Sequence, residues 1–111
     1  MDETKFLSMI GLCRKAGKLV LGADCTCDAV RSGKSRLAVI ASDASDNTKK
    51  KVRNCAAYYE KRVCVCETGK KKLGECLGRN GEVSCFAVCD DNFYALIEKH
   101  IEPNKVQINK N

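Results

Sequence analysis

Nine cysteines in 111 residues are the first groups whose chemistry has to be decided. Cys25-x-Cys27 and Cys64-x-Cys66 pair thiols as metal sites and redox centres do. Zinc-binding cysteines are usually separated by about two to four residues, and neither pair has that spacing. Residues two apart on a strand face the same side of a sheet, so Cys64 and Cys66 are expected to pack in one layer. No Cys-x-x-Cys motif supports a thiol-dependent redox enzyme. A reduced thiol within an apolar pattern behaves as a small hydrophobe. The odd count and the acidic opening Met1-Asp2-Glu3 argue against a secreted, disulfide-bonded chain. No apolar run approaches the roughly 18 residues of a membrane span. The expected setting is the reducing cytoplasm, with free thiols and no bound metal.

The other chemistry is cationic. Lys49-Lys50-Lys51-x-Arg53 and Lys70-Lys71-Lys72 are the densest charge runs, within a net charge of +6. From Arg14 to Arg79 there are 16 Lys or Arg against 7 Asp or Glu. Clustered positive charge favours a polyanionic partner, nucleic acid before a membrane surface. Phosphate contacts supply most nucleic-acid affinity and need no sequence code. The first run is equally explained by one exposed helix face. Arg14, Lys15 and Lys18 bracket an expected helix C-terminus, where a cation complements the dipole by about 0.3–1 kcal/mol.

Catalytic patterns are missing. His100 is the single histidine, near the end of the last expected helix. Asp2-Glu3 and Asp90-Asp91 read as helix caps rather than acid/base pairs. No phosphate-loop or dinucleotide fingerprint occurs. The expectation is a binding protein, not an enzyme, with no cofactor.

The elements that must position these groups follow from periodicity. Phe6, Leu7, Ile10 and Cys13 recur at helical spacing over residues 3–16, with Asp2 as the expected cap and Gly17 as the stop. A short strand reaches Gly22, and a helix from about Asp24 ends at Gly33. Leu37-Ala38-Val39-Ile40-Ala41 is a continuous apolar run, as a central strand covered on both faces requires. Ser45 or Asp46 caps the next helix, which carries Val52, Cys55, Ala56 and Tyr59. Val63 to Cys66 is a strand, Lys71 to Leu77 a short helix, Ser84 to Cys89 a strand, and Asp90 or Asp91 opens the last helix. Strands alternating with helices predict a sheet between helix layers. Residues 1–101 are expected to form one domain, followed by a polar tail over 102–111.

With these elements in place, the sequence resembles a known family. Gly22-Ala23-Asp24 opens a helix that Arg31-Ser32-Gly33 closes, and Leu37 to Asp43 follows. Lys72-Leu73-Gly74-Glu75-Cys76-Leu77-Gly78 forms a second block. Together they are similar to the kink-turn-binding ribosomal protein superfamily (the L7Ae-like proteins). Gly11-Leu12-Cys13-Arg14-Lys15-Ala16-Gly17-Lys18-Leu19-Val20 and Asp43 to Lys51 resemble its small bacterial YlxQ-type branch.

The resemblance implies a three-layer α/β/α sandwich with a four-stranded mixed sheet. It implies binding of kinked, internally looped RNA at one end of that sandwich, by a ribosome-associated monomer, ribosomal RNA being one possible target. Carried over by position, the RNA-contacting residues are Gly22, Asp24, Cys25, Asp28, Thr68, Lys70, Lys71 and Lys72; Lys18, for its charge, and Ser45, at the next helix start, are expected beside them. The family pattern Gly-x-Asn-Glu-x-x-Lys is kept here at Gly22 and departs at three places. Asp24 stands for Asn, Cys25 for Glu and Asp28 for Lys. Asp24 keeps acceptors without the amide donor, Cys25 accepts poorly, and Asp28 replaces a cation by an anion. Weaker kink-turn preference is the expected consequence. The competing expectation is a structural or protein-interaction module that has kept the fold and lost kink-turn recognition.

Overall fold

The computed structural model describes residues 3–101 and the two strand residues 107 and 108. Asp2, the expected cap of the first helix, lies outside them. Helix α1 (Glu3–Lys15) buries Phe6, Ile10 and Cys13. Strand β1 (Leu19–Leu21) leads into α2 (Ala23–Arg31), which buries Cys27, Ala29 and Val30. Strand β2 (Leu37–Ile40) is buried at every position, as its unbroken apolar run requires. Helix α3 (Asp46–Tyr58) buries Val52 and Ala56 and is capped by Ser45. Strand β3 (Arg62–Val65), α4 (Lys70–Cys76), β4 (Cys85–Val88) and α5 (Asp91–Glu98) complete the alternation. The last helix is capped by Asp90, whose carboxylate accepts from the Phe93 N–H at 2.9 Å.

The four strands form the expected mixed sheet, in the order β1-β4-β2-β3. A fifth strand, β5 (Gln107–Ile108), pairs antiparallel with Arg62 and Val63 of β3 at the edge. It lies in the segment read from the sequence as a polar tail. Its two-residue length is too short to leave a pattern in the sequence. Strands β2 and β3 run parallel, with Ala38 opposite Val63 and Ile40 opposite Val65. Strand β4 is antiparallel to both neighbours, placing Cys85 opposite Ile40 and Phe86 opposite Leu21. Helices α2 and α3 pack together on one face, while α1 contacts α4 and α5 on the other. Cys64 and Cys66 are both buried, at 3% and 2% exposure.

This topology decides where the loops go. The carboxyl ends of β1, β2 and β3 lie together at the end of the sheet where β4 begins. The helix after each of those strands therefore starts at that same end. In open α/β sheets this is where ligands bind.

Candidate nucleic-acid interface

Three segments meet at the carboxyl end of the sheet: Gly22 with the start of α2, Ser42 to Ser45 before α3, and Cys66 to Gly69 before α4. Gly22 has φ 93° and ψ 160°, a backbone geometry that a side chain would strain. Its N–H donates to the Cys85 carbonyl at 2.9 Å, pinning the loop to β4. Gly22 supplies no side-chain cap, and among the described residues no side chain is bonded to the first amides of α2, which leaves them as donors for an anion or a base edge.

Asp24 and Cys25, in that first turn, are both exposed. Lys51 Nζ, from α3, sits 2.5 Å from Asp24 Oδ1. The Lys51 ammonium holds the Asp24 carboxyl below its ordinary range, and Asp24 in turn raises Lys51. Asp28 lies one turn further along, exposed, 3.4 Å from Arg31.

The second and third segments are knitted together. Ser42 N–H donates to the Thr68 carbonyl at 3.0 Å. The Lys70 N–H donates to Asp43 Oδ1 at 2.8 Å, so Asp43 caps α4 from the neighbouring loop. Lys49 Nζ donates to the Ser42 carbonyl at 3.2 Å. The Ser45 hydroxyl is committed to its helix, accepting from Thr48 N–H at 3.2 Å and donating to Thr48 Oγ1 at 3.0 Å.

Thr68 is 1% exposed, and its hydroxyl donates to Glu3 Oε2 at 3.1 Å. Glu3 also pairs with Lys72, and these two partners hold its carboxyl below the usual range. Lys70 reaches Glu82 at 4.0 Å. Lys71 is exposed and has no carboxylate partner among the described residues. Below them, Gly74 admits the loop after α4: a Cβ there would lie 1.8 Å from the Gly81 carbonyl oxygen. That approach sets the position of residues 78–83 beside the site.

The residues singled out from the sequence thus divide. Gly22, Asp24, Cys25, Ser45, Lys70, Lys71 and Lys72 share one end of the sheet, with Asp28 one turn inward and Thr68 beneath. Lys18 does not join them. Its carbonyl accepts from Cys89 N–H at 2.8 Å, at the opposite end of β1. Lys49 and Lys51, whose run the sequence leaves open between RNA contact and an exposed helix face, both reach into the site. The signal for them was the alternation itself. Two parallel strands joined by a helix align that helix's start with the carboxyl ends.

Among the described residues none of the nine cysteines is in a disulfide, and no cluster of His, Cys, Asp and Glu could hold a metal ion. No described helix is long and apolar enough to cross a membrane.

The ribosomal protein L7Ae/L30e/S12e/Gadd45 family matches residues 4–98. An RNA-binding protein YlxQ from Enterococcus faecium is 34% identical over 101 residues, covering 91% of this chain and 95% of that one. The RNA-binding protein YlxQ of Bacillus subtilis (strain 168) is 31% identical over 93 residues, covering 84% and 91%. A solved structure of a protein with unknown function from Bacillus halodurans superposes with a TM-score of 0.75 at 33% identity, over 85% of this chain and 97% of that one.

Proposed function

This chain belongs to the ribosomal protein L7Ae/L30e/S12e/Gadd45 family, and from that premise we propose that it binds structured, internally looped RNA through the carboxyl end of its sheet. It does so as a cytoplasmic monomer working on ribosome-related RNA. The observation that carries this is the convergence of the uncapped start of α2 with Lys49, Lys51, Lys71 and Lys72 at one end of the sandwich. Exposed amides can donate to an acceptor edge or a phosphate, while Lys49 and Lys71, which have no carboxylate partner among the described residues, meet the flanking backbone. The two YlxQ relatives named as RNA-binding proteins support the same reading.

Kink-turn preference is the finer part of the proposal, and it is weaker here than the family pattern would give. Lys51 at 2.5 Å partly offsets the Asp24 carboxylate, which lessens its repulsion of a phosphate, although both side chains are exposed. Asp28 is only partly offset by Arg31, since both side chains are well exposed.

The test is a titration of a kinked, internally looped RNA and a matched straight duplex at several salt concentrations. Affinity should fall on a log–log plot with a slope of about −0.7 to −0.9 per phosphate neutralised. The looped RNA should bind more tightly than the duplex by a modest factor. Binding that is absent at low salt, or flat across a tenfold change in salt, favours instead a protein-interaction module of the same fold.

A further inference from the structure

The site described above leaves the outer face of α3 unused. Asn47, Lys50, Asn54 and Tyr58 recur at three- and four-residue spacing, so they form one row along the helix. Lys50, Asn54 and Tyr58 are exposed, and Arg53 flanks them. Neither Lys50 nor Arg53 has a carboxylate within ion-pair distance among the described residues. The acidic groups beside this row are Asp46 in the first turn and Glu60 just past the helix end.

At the far end of the row two aromatic rings stand in water. Tyr58 is 72% exposed and Tyr59 36% exposed. Their ring centroids lie 4.8 Å apart at 74°, edge to face, so Tyr59 braces Tyr58 while a face of Tyr58 stays open. Tyr59, expected from the sequence on the apolar side of this helix, is instead part of that pair. Lys61 follows directly in the chain. Cations along a track with an open aromatic face at its end match the recognition of unpaired nucleic acid, where phosphates meet Lys and Arg and bases stack on rings. The row begins at Asn47, one turn before Lys51 joins the site on α2. From Asn47 to Tyr58 it spans about 16 Å.

We propose that the outer face of α3 binds a single-stranded segment of the RNA, with phosphates against Lys50 and Arg53 and an unpaired base stacked on Tyr58. This rests on the RNA-binding reading above and adds to it a contact that tolerates any sequence. Stacking on a protein ring strengthens binding by roughly fivefold to a hundredfold per base.

The test compares an internally looped RNA with blunt stems and the same RNA carrying a single-stranded tail of about ten nucleotides. With the wild-type chain the tail should raise affinity by about tenfold. Tyr58→Ala should abolish that gain and leave blunt-RNA binding unchanged, while Tyr58→Phe keeps it. Lys50→Ala with Arg53→Ala should reduce the gain and lower the salt slope for the tailed RNA alone. These residues are exposed, so circular dichroism and denaturant midpoints should match the wild type. Blunt RNA bound with no gain from the tail overturns the inference and leaves the parent reading standing, as does a gain that survives Tyr58→Ala. If the wild type binds neither RNA, both readings fall. A change in sedimentation of the RNA-free chain on Tyr58→Ala would show that the tyrosines join copies of this protein, which also overturns the inference.

Discussion

Lys51 Nζ lies 2.5 Å from Asp24 Oδ1, tying the second turn of α3 to the start of α2 across 27 positions of sequence. The pair puts a carboxylate and its neutralising cation beside the unpaired amides of α2. Asp24→Asn removes the anion and releases Lys51 for phosphate. RNA affinity should rise and the salt slope steepen by about one phosphate contact. Lys51→Ala should do the reverse, because it removes a cation and leaves Asp24 uncompensated. A loss of affinity in Asp24→Asn would show that the carboxylate itself accepts a hydrogen bond from a base.

Restoring the family pattern tests recognition more sharply. Cys25→Glu with Asp28→Lys supplies the acceptor and the cation that the pattern carries at those positions. Both residues are exposed on α2, so neither change disturbs the core. The kinked RNA should gain roughly 1–3 kcal/mol over the straight duplex, the size of a base-edge hydrogen-bond pair. An equal gain for both RNAs would mean that only charge was repaired.

Two glycines predict opposite outcomes. Gly74→Ala places a Cβ 1.8 Å from the Gly81 carbonyl oxygen, so the backbone of residues 81–82 has to move. The cost should be about 1–3 kcal/mol or more, read from a denaturant midpoint. Gly11→Ala meets nothing closer than 3.8 Å, on an interior turn of α1. It should stabilise by about 0.5–1 kcal/mol through helix propensity. Equal effects at the two sites would rule out the close approach of the 78–83 loop.

Just past α3 stands Glu60 at φ 55°, where its N–H donates to the Ala57 carbonyl and that of Lys61 to the Ala56 carbonyl. This is the left-handed cap that glycine serves best, and α1 ends in the same pattern on Gly17. Glu60→Gly relieves the left-handed strain and should raise stability by about 0.5–1 kcal/mol. An unchanged or lowered thermal midpoint refutes the reading of Glu60 as strained.

The cysteines predict a pH profile. Burial pushes the Cys13 thiol up to about 12 and those of Cys27 and Cys66 to about 11, from 9.0. The folded chain therefore keeps protons that the unfolded chain gives up. Stability from these groups is complete below pH 9 and is lost as pH rises toward 11–12, by up to about 1.4 kcal/mol per pH unit for each thiol. At neutral pH, alkylation of the native chain should reach the exposed Cys25 well before Cys13, Cys27 or Cys66. Fast labelling of Cys13 in the folded state would contradict this.

Alternation of strands and helices was legible in the sequence because burial repeats with the period of each element. Leu37 to Ala41 has the unbroken apolar run of a strand covered on both faces, and the glycines at 17, 33 and 78 marked where helices stop. Ser45 and Asp90 were readable as caps because a cap acts on the backbone within three residues. The turn at Gly22 was legible for the same local reason: a strand, a turn and a helix follow one another there. Which charges meet was not legible. Lys51 joins Asp24, Asp43 caps α4, and the Thr68 hydroxyl is taken by Glu3, 65 positions away. Lys18, close to Gly22 in sequence, is carried to the opposite end of the sheet by the strand between them. Those pairings depend on strand order and register. Both are set by how whole faces pack against one another, and neither leaves a trace in the spacing of residues along the chain.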